Sequence, residues 1–190
     1  MSGRRVILAI CLLLLSGCQH WRLPATAGWV ALDGGHYQLV DYWPGAPQQL
    51  VQQLSWQDET RQQQFLLTAL LQADGYLLVA LSPLGHEMWR LQYQRGHQLT
   101  VAGMAPFNQP EFARRLLAEM QLALLQQPLL ASRLQALTLR QQDGQRQLLR
   151  SDGSVLMTVT QAGQLQPGQQ IQLSSQTYQL QINTLQQDLL

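Results

Sequence analysis

From about Gln48 to Val101 the apolar residues fall into short runs separated by turn formers, the pattern of strands joined by tight connections. Gln49 to Gln57 is a modest strand candidate, and Asp58-Glu59 is a turn. Gln62 to Ala73 is strongly apolar and runs into Asp74-Gly75, the best hairpin signal in the chain, because glycine accepts the positive φ such a turn needs. Tyr76 to Leu81 follows, then a turn at Ser82-Pro83-Leu84-Gly85. His86 to Tyr93 alternates, with Trp89, Leu91 and Tyr93 on one face and Arg90, Gln92 and Gln94 on the other. Arg95-Gly96 then turns the chain into a short strand, Gln98 to Val101.

The period changes after Pro106. Asn108 or Gln109 can cap a helix, and Pro110 suits its first turn, where a missing N–H costs nothing. Phe112, Leu116, Met120 and Leu124 recur every four residues, flanked by Ala113 and Leu117, while Arg114, Arg115 and Glu119 take much of the remaining surface. This predicts an amphipathic helix over about 110–125, and Leu129 to Leu134 predicts a second short helical turn. Strand patterns resume at Gln135. Leu137 and Leu139 alternate with Thr138 and Arg140, and Asp143-Gly144 turns the chain into Arg146 to Arg150. Asp152-Gly153 leads into Val155, Met157 and Val159, and after Pro167-Gly168 come Ile171, Leu173, then Tyr178, Leu180 and Ile182. Strands, a segregated helix and more strands predict an α+β fold built on an antiparallel sheet.

The start of the chain obeys a different rule. Arg4 and Arg5 precede an unbroken apolar run from Val6 to Leu15, followed by the small residues Ser16 and Gly17. Ten apolar residues are too few to span roughly 30 Å of hydrocarbon as a lasting transmembrane helix. Leu15-Ser16-Gly17-Cys18 resembles the lipobox of bacterial lipoproteins, which implies cleavage before Cys18 and lipidation of that cysteine. In families with this signal the residue after the acylated cysteine helps set the destination. Gln19, rather than Asp, implies the outer membrane, with the domain lipid-anchored and facing the periplasm. The expected organisation is a signal peptide over 1–17, a lipidated tether and entry segment over 18–47, and a single domain over 48–190.

Composition narrows the function classes. The chain has 190 residues, 46% hydrophobic and 12% charged, with a net charge of +1. Near-neutral charge argues against a nucleic-acid binder held by phosphate neutralisation. Gln and Leu dominate, with 34 and 39 residues, and all twelve basic residues are Arg. Gln alternating with apolar residues, as in Tyr178 to Asn183, reads as a two-faced sheet whose outer side hydrogen-bonds without charge. Cys11 leaves with the signal and Cys18 is consumed by lipid, so cysteine catalysis and cysteine metal sites are excluded.

Catalytic motifs are not evident. His20, His36, His86 and His97 lack a second His at helical spacing, and His86-Glu87 is not continued into a zinc-protease motif. There is no Gly-x-Ser-x-Gly elbow, and the acids Asp58-Glu59 and Glu111 with Glu119 read as a turn and a solvated helix face. The expectation is a protein without catalytic residues, metal or cofactor. The informative constellation is apolar: Phe112, Leu116, Met120 and Leu124 facing a wall that includes Trp89, Leu91 and Tyr93 would enclose either a filled core or an acyl-sized pocket. Periodicity does not separate the two, because both use the same inward residues.

The order of the motifs resembles an uncharacterised family of bacterial outer-membrane lipoproteins. They are the lipobox, Leu81-Ser-Pro-Leu-Gly85, Met88-Trp-Arg-Leu91, Pro110 through Leu124 with Glu119-Met-Gln-Leu122, Arg146-Gln-Leu-Leu149 and Tyr178-Gln-Leu-Gln-Ile182. The resemblance covers about Gln49 to Leu185. Members commonly accompany genes for aryl polyene biosynthesis. The family is similar in turn to the carriers LolA and LolB, which implies a curved antiparallel sheet forming an incomplete β-barrel closed by helices. It also implies a hydrophobic acyl or lipid cargo, and a periplasmic carrier or exporter as partner. This chain has no clear match to the membrane-inserting apolar loop of LolB, so a cargo other than lipoproteins, such as an aryl polyene lipid, suits the resemblance better. Two other classes remain open: a scaffold lipoprotein recruiting biosynthetic or export proteins, and an acyl-processing enzyme, which would need a nucleophile.

Overall fold

The computed structural model describes residues 28–190, so Cys18 and the expected signal peptide lie outside the described residues. Strands, numbered along the described chain, open with β1 (Trp29–Leu32), β2 (Gly35–Gln38), β3 (Gln48–Asp58), β4 (Gln62–Gln72), β5 (Gly75–Leu81), β6 (Glu87–Gln94) and β7 (Gln98–Gly103). Helices α1 (Pro110–Leu124) and α2 (Gln127–Ala131) follow. The chain then returns to strands: β8 (Leu134–Gln135), β9 (Leu137–Gln142), β10 (Gln145–Arg150), β11 (Val155–Thr160), β12 (Gln170–Ser175) and β13 (Tyr178–Leu189).

Ten strands form one antiparallel sheet in the order β7-β6-β5-β4-β3-β13-β12-β11-β10-β9. It consists of two meanders, β3 to β7 and β9 to β13, joined where β3 pairs with β13 and Leu54 meets Ile182. The sheet is curved, and its edges β7 and β9 do not pair with each other, so no closed barrel forms. The expected α+β class with a curved antiparallel sheet therefore holds.

Alternation decides which face is inside. Leu50 and Leu54 on β3, Phe65, Leu67, Ala69 and Leu71 on β4, Tyr76, Leu78 and Ala80 on β5, and Trp89, Leu91 and Tyr93 on β6 are all buried. The other meander adds Ile171, Leu173, Leu180 and Ile182. Each fully buried large apolar side chain contributes about 1.5–3 kcal/mol relative to exposure. On the outer face, Gln62 on β4, Gln57 on β3 and Gln179 on β13 stand in one cross-strand row. Gln64, Ser55, Gln181 and Gln172 form the next. The Leu-in, Gln-out arrangement expected from alternation is present there. It stops at β4 and β5, where Leu66, Leu70, Leu77, Val79 and Leu81 are half-buried on the outer face as well.

From Gly28 onward the stretch expected as an entry segment is part of the fold. β1 and β2 pair with each other and with β8 in a second, three-stranded sheet. Val30, Leu32, Tyr37, Leu39, Val40 and Trp43 are buried in the core. Short four-residue strands among Gly and Pro carry too little alternation to stand out from a linker. Helix α1 lies between the two sheets, with residues from Leu117 to Leu124 all buried.

Candidate functional site

The site is built around α1, which shows two faces to two partners. One face, with Ala113, Leu117 and Gln121, meets the small sheet and the Leu39–Trp43 segment. Gln121 is fully buried: its Oε1 accepts from the Val40 N–H and the Tyr37 hydroxyl, both at 2.9 Å, and its Nε2 donates to the Val40 carbonyl at 2.7 Å. A side-chain amide thus replaces a strand partner for Val40, whose buried backbone groups would otherwise be unpaired. Three of the last carbonyls of the helix also find partners. Gln121 O accepts from the Leu125 N–H, Ala123 O from the Gly163 N–H and Leu122 O from Arg146 Nη1. Arg146 is buried on β10 without a carboxylate partner. Its guanidinium also donates to Gln141 Oε1, and burial pulls its pKa down to about 10, leaving it cationic at neutral pH. A cation at a helix C-terminus complements the negative end of the dipole.

The other face of α1 looks into the large sheet. Leu116, Met120 and Leu124 oppose Leu54 and Gln52 on β3, Leu67 on β4, Leu78 on β5, Trp89 on β6, and Leu180 and Ile182 on β13. The cavity between them holds about 20 Å³, room for one water molecule. The wall is apolar except for Gln52 and Glu119. Gln52 is satisfied within the sheet, donating to Thr184 Oγ1 at 3.2 Å.

Aromatic rings cover one end of this interior. Phe107 stacks on Trp89, with centroids 5.2 Å apart, and meets Phe112 edge-on at 5.2 Å. Phe65 stands edge-on to both Trp89 and Phe107. The approach of the β7–α1 connection over Trp89 depends on Gly103. A Cβ there would lie 2.4 Å from the Met88 carbonyl oxygen and 2.5 Å from Trp89 Cα, and the residue's φ is +115°.

A polar group interrupts the apolar face. Glu119 is buried on α1, and Arg115, one turn earlier and half exposed, donates to its carboxylate at 3.1 Å. Burial raises the Glu119 pKa above its ordinary value, with Tyr178 and Arg115 opposing the shift. The Tyr178 hydroxyl lies beside this carboxyl on β13, but it is buried with no hydrogen bond of normal geometry. Trp89 Nε1, with its ring 2% exposed, likewise has no acceptor.

Of the residues expected to line a pocket, Trp89, Leu116, Met120 and Leu124 come together around the cavity. Leu91 and Tyr93 share the inward face of β6 but pack elsewhere, Tyr93 with its hydroxyl 2.7 Å from His97 Nδ1. Phe112 does not line the cavity. It stands 39% exposed in the first turn of α1, against Phe107. Sequence reasoning placed Glu119 on a solvated face and gave Gln121, Arg146, Phe107 and Tyr178 no part in the site. The available signal for Glu119 was its place beside Met120, one turn after Leu116. Among the described residues no cluster of three or more His, Cys, Asp or Glu side chains could hold a metal ion. No helix among them is long and apolar enough to cross a membrane.

Residues 49–186 match the family described as protein of unknown function (DUF3261), and the chain belongs to this family. The matched span runs from β3 into β13, so it takes in the large sheet, α1 and the cavity, while β1 and β2 fall outside it. No curated protein matches the chain.

Proposed function

We propose that the protein is an outer-membrane-anchored lipoprotein that holds an acyl or lipid cargo between the large sheet and α1, in a half barrel of the LolA/LolB kind. The observation that carries this reading is the apolar interior facing Leu116, Met120 and Leu124, closed on one side by a helix whose first turns are only partly buried. A space of about 20 Å³ is far below the several hundred that a ligand pocket occupies, so on this reading the interior must open to take cargo. Cargo enters as the N-terminal half of α1 moves outward and flexible Met120 repacks. The gain is about 25 cal/mol for each Å² of apolar surface removed from water. An acyl anchor at Cys18 would hold this opening near the destination leaflet.

The test is titration of a fluorescent fatty acid into the soluble chain starting at Gln19. Saturable binding that weakens when Met120→Trp fills the interior is expected, whereas no saturable binding overturns the reading.

The near-filled interior favours a second reading, a scaffold lipoprotein that recruits biosynthetic or export proteins. Photo-crosslinking from the half-buried outer face of β4 and β5 distinguishes the two. Protein partners captured equally by wild type and the Met120→Trp variant, without bound lipid, would favour the scaffold.

A further inference from the structure

A buried carboxyl facing an apolar cavity is costly unless something compensates it. Glu119 has one charge partner, Arg115, which reaches it from solvent. Beside it, the buried Tyr178 hydroxyl makes no hydrogen bond of normal geometry, and Trp89 on the cavity wall offers an indole N–H with no acceptor. Trp Nε1 is only ever a donor, and a buried phenol usually finds a partner. Two poorly matched donors thus lie at or next to the interior, beside a buried carboxyl whose Arg115 partner reaches out to water. An occupant made only of hydrocarbon would leave both donors without a well-placed acceptor.

We propose that Arg115, Glu119 and Tyr178 receive the carboxyl head of an unesterified long-chain carboxylic acid, whose tail lies along Leu116, Met120 and the apolar wall of the sheet. The inference rests on the acyl-binding reading above and names its substrate class. Glu119 and the ligand carboxyl share one proton, and the single negative charge left on the pair is balanced by Arg115. The Tyr178 hydroxyl then donates to a ligand oxygen. Two carboxylates side by side would repel, so at neutral pH binding takes up one proton from solution. The groups acting on Glu119 are Arg115 on its own helix and Tyr178 on β13. The cavity wall from β3, β4, β5 and β6 carries no charged side chain. Burial already favours the protonated form of Glu119, so this carboxyl is predisposed to take up that proton when the ligand arrives.

An ester with the same tail can accept from Tyr178 but cannot share a proton. The discriminating experiment compares cis-parinaric acid with its methyl ester, each titrated from pH 5.5 to 8.5. The protein is the chain starting at Gln19, which retains every core residue described above. Acid binding is expected to weaken at least about tenfold over this range, since each pH unit above a controlling pKa reduces the protonated fraction tenfold. Ester binding is expected to change less than about twofold. In Glu119→Gln the amide donates without titrating, so the pH dependence of acid binding disappears. Arg115→Ala, a half-exposed position tolerant of change, weakens the acid selectively.

The outcomes separate cleanly. Equal binding of acid and ester at every pH overturns the head-group site and leaves the acyl-binding reading standing. A pH dependence that persists in Glu119→Gln also overturns it, because the titrating group would then be the ligand alone. Binding of neither probe overturns both.

Discussion

The two halves of α1 are held in opposite ways. From Leu117 to Leu124 every residue is buried, and Gln121, Arg146 and Gly163 tie the helix to both sheets. From Pro110 to Leu116 only Ala113 is buried, and the N-cap residue Gln109 makes no side-chain cap bond. The half with the most polar anchors is the half farthest from solvent, where each lost bond is most expensive. The contrast teaches that the helix is anchored by buried polar bonds at its C-terminal end and held by far fewer contacts with the interior at the other. Glu119 lies in the first turn of the buried half, bonded back to Arg115 in the more exposed one.

Removing the deepest anchor should produce the largest effect. Gln121→Ala leaves the Val40 N–H, the Val40 carbonyl and the Tyr37 hydroxyl without partners, at roughly 1–3 kcal/mol for each buried group. A loss of about 3–5 kcal/mol is expected in urea unfolding. A cost below about 1 kcal/mol would show that the two halves are not anchored differently.

Glu119→Gln should act in the opposite direction and more weakly. Burial raises the Glu119 pKa in the folded protein above its ordinary value. Its stability contribution is therefore fully present below the unfolded value and is lost as pH rises through the folded value. Wild type should lose stability over that window relative to Glu119→Gln, and the variant should have the higher urea midpoint at pH 7. Midpoints measured from pH 4 to pH 8 check the sign, and parallel curves would refute the burial argument. The smallest effect is expected from Phe112→Ala. Its ring is partly exposed and touches mainly Phe107, so the cost should stay below about 1 kcal/mol while hydrogen exchange speeds up in the first turn of α1 and not in the last.

Much of the architecture was legible because it follows from local periodicity. β3 to β7, α1 and the inward residues Trp89, Leu91 and Tyr93 fall where alternation and four-residue spacing place them. β1 and β2 were not legible, because their strands are short and their pairing with β8 joins distant parts of the chain. Gln121 was hidden by abundance: one buried Gln looks like the many that coat the outer face. Glu119 was misassigned for a related reason. An acid on an amphipathic helix normally faces water, but here both faces of the last two turns are covered. Leu116, Met120 and Leu124 were legible as an inward stripe, whereas the amount of space beside them depends on how the partners interlock, which periodicity does not encode.

The junction of β3 with β13 also orders events in time. β13 follows every other described strand, yet it lies in the middle of the large sheet. A nascent chain that has delivered β3 to β12 holds two meanders with no common seam, each exposing the edge that β13 will later join. Native structure therefore cannot spread outward from the centre as the chain emerges, and closure waits for contacts between residues as distant as Leu54 and Ile182. Such non-local pairing places folding toward the slow end, milliseconds to seconds. Losing the last strand would divide the sheet in two rather than trim its border.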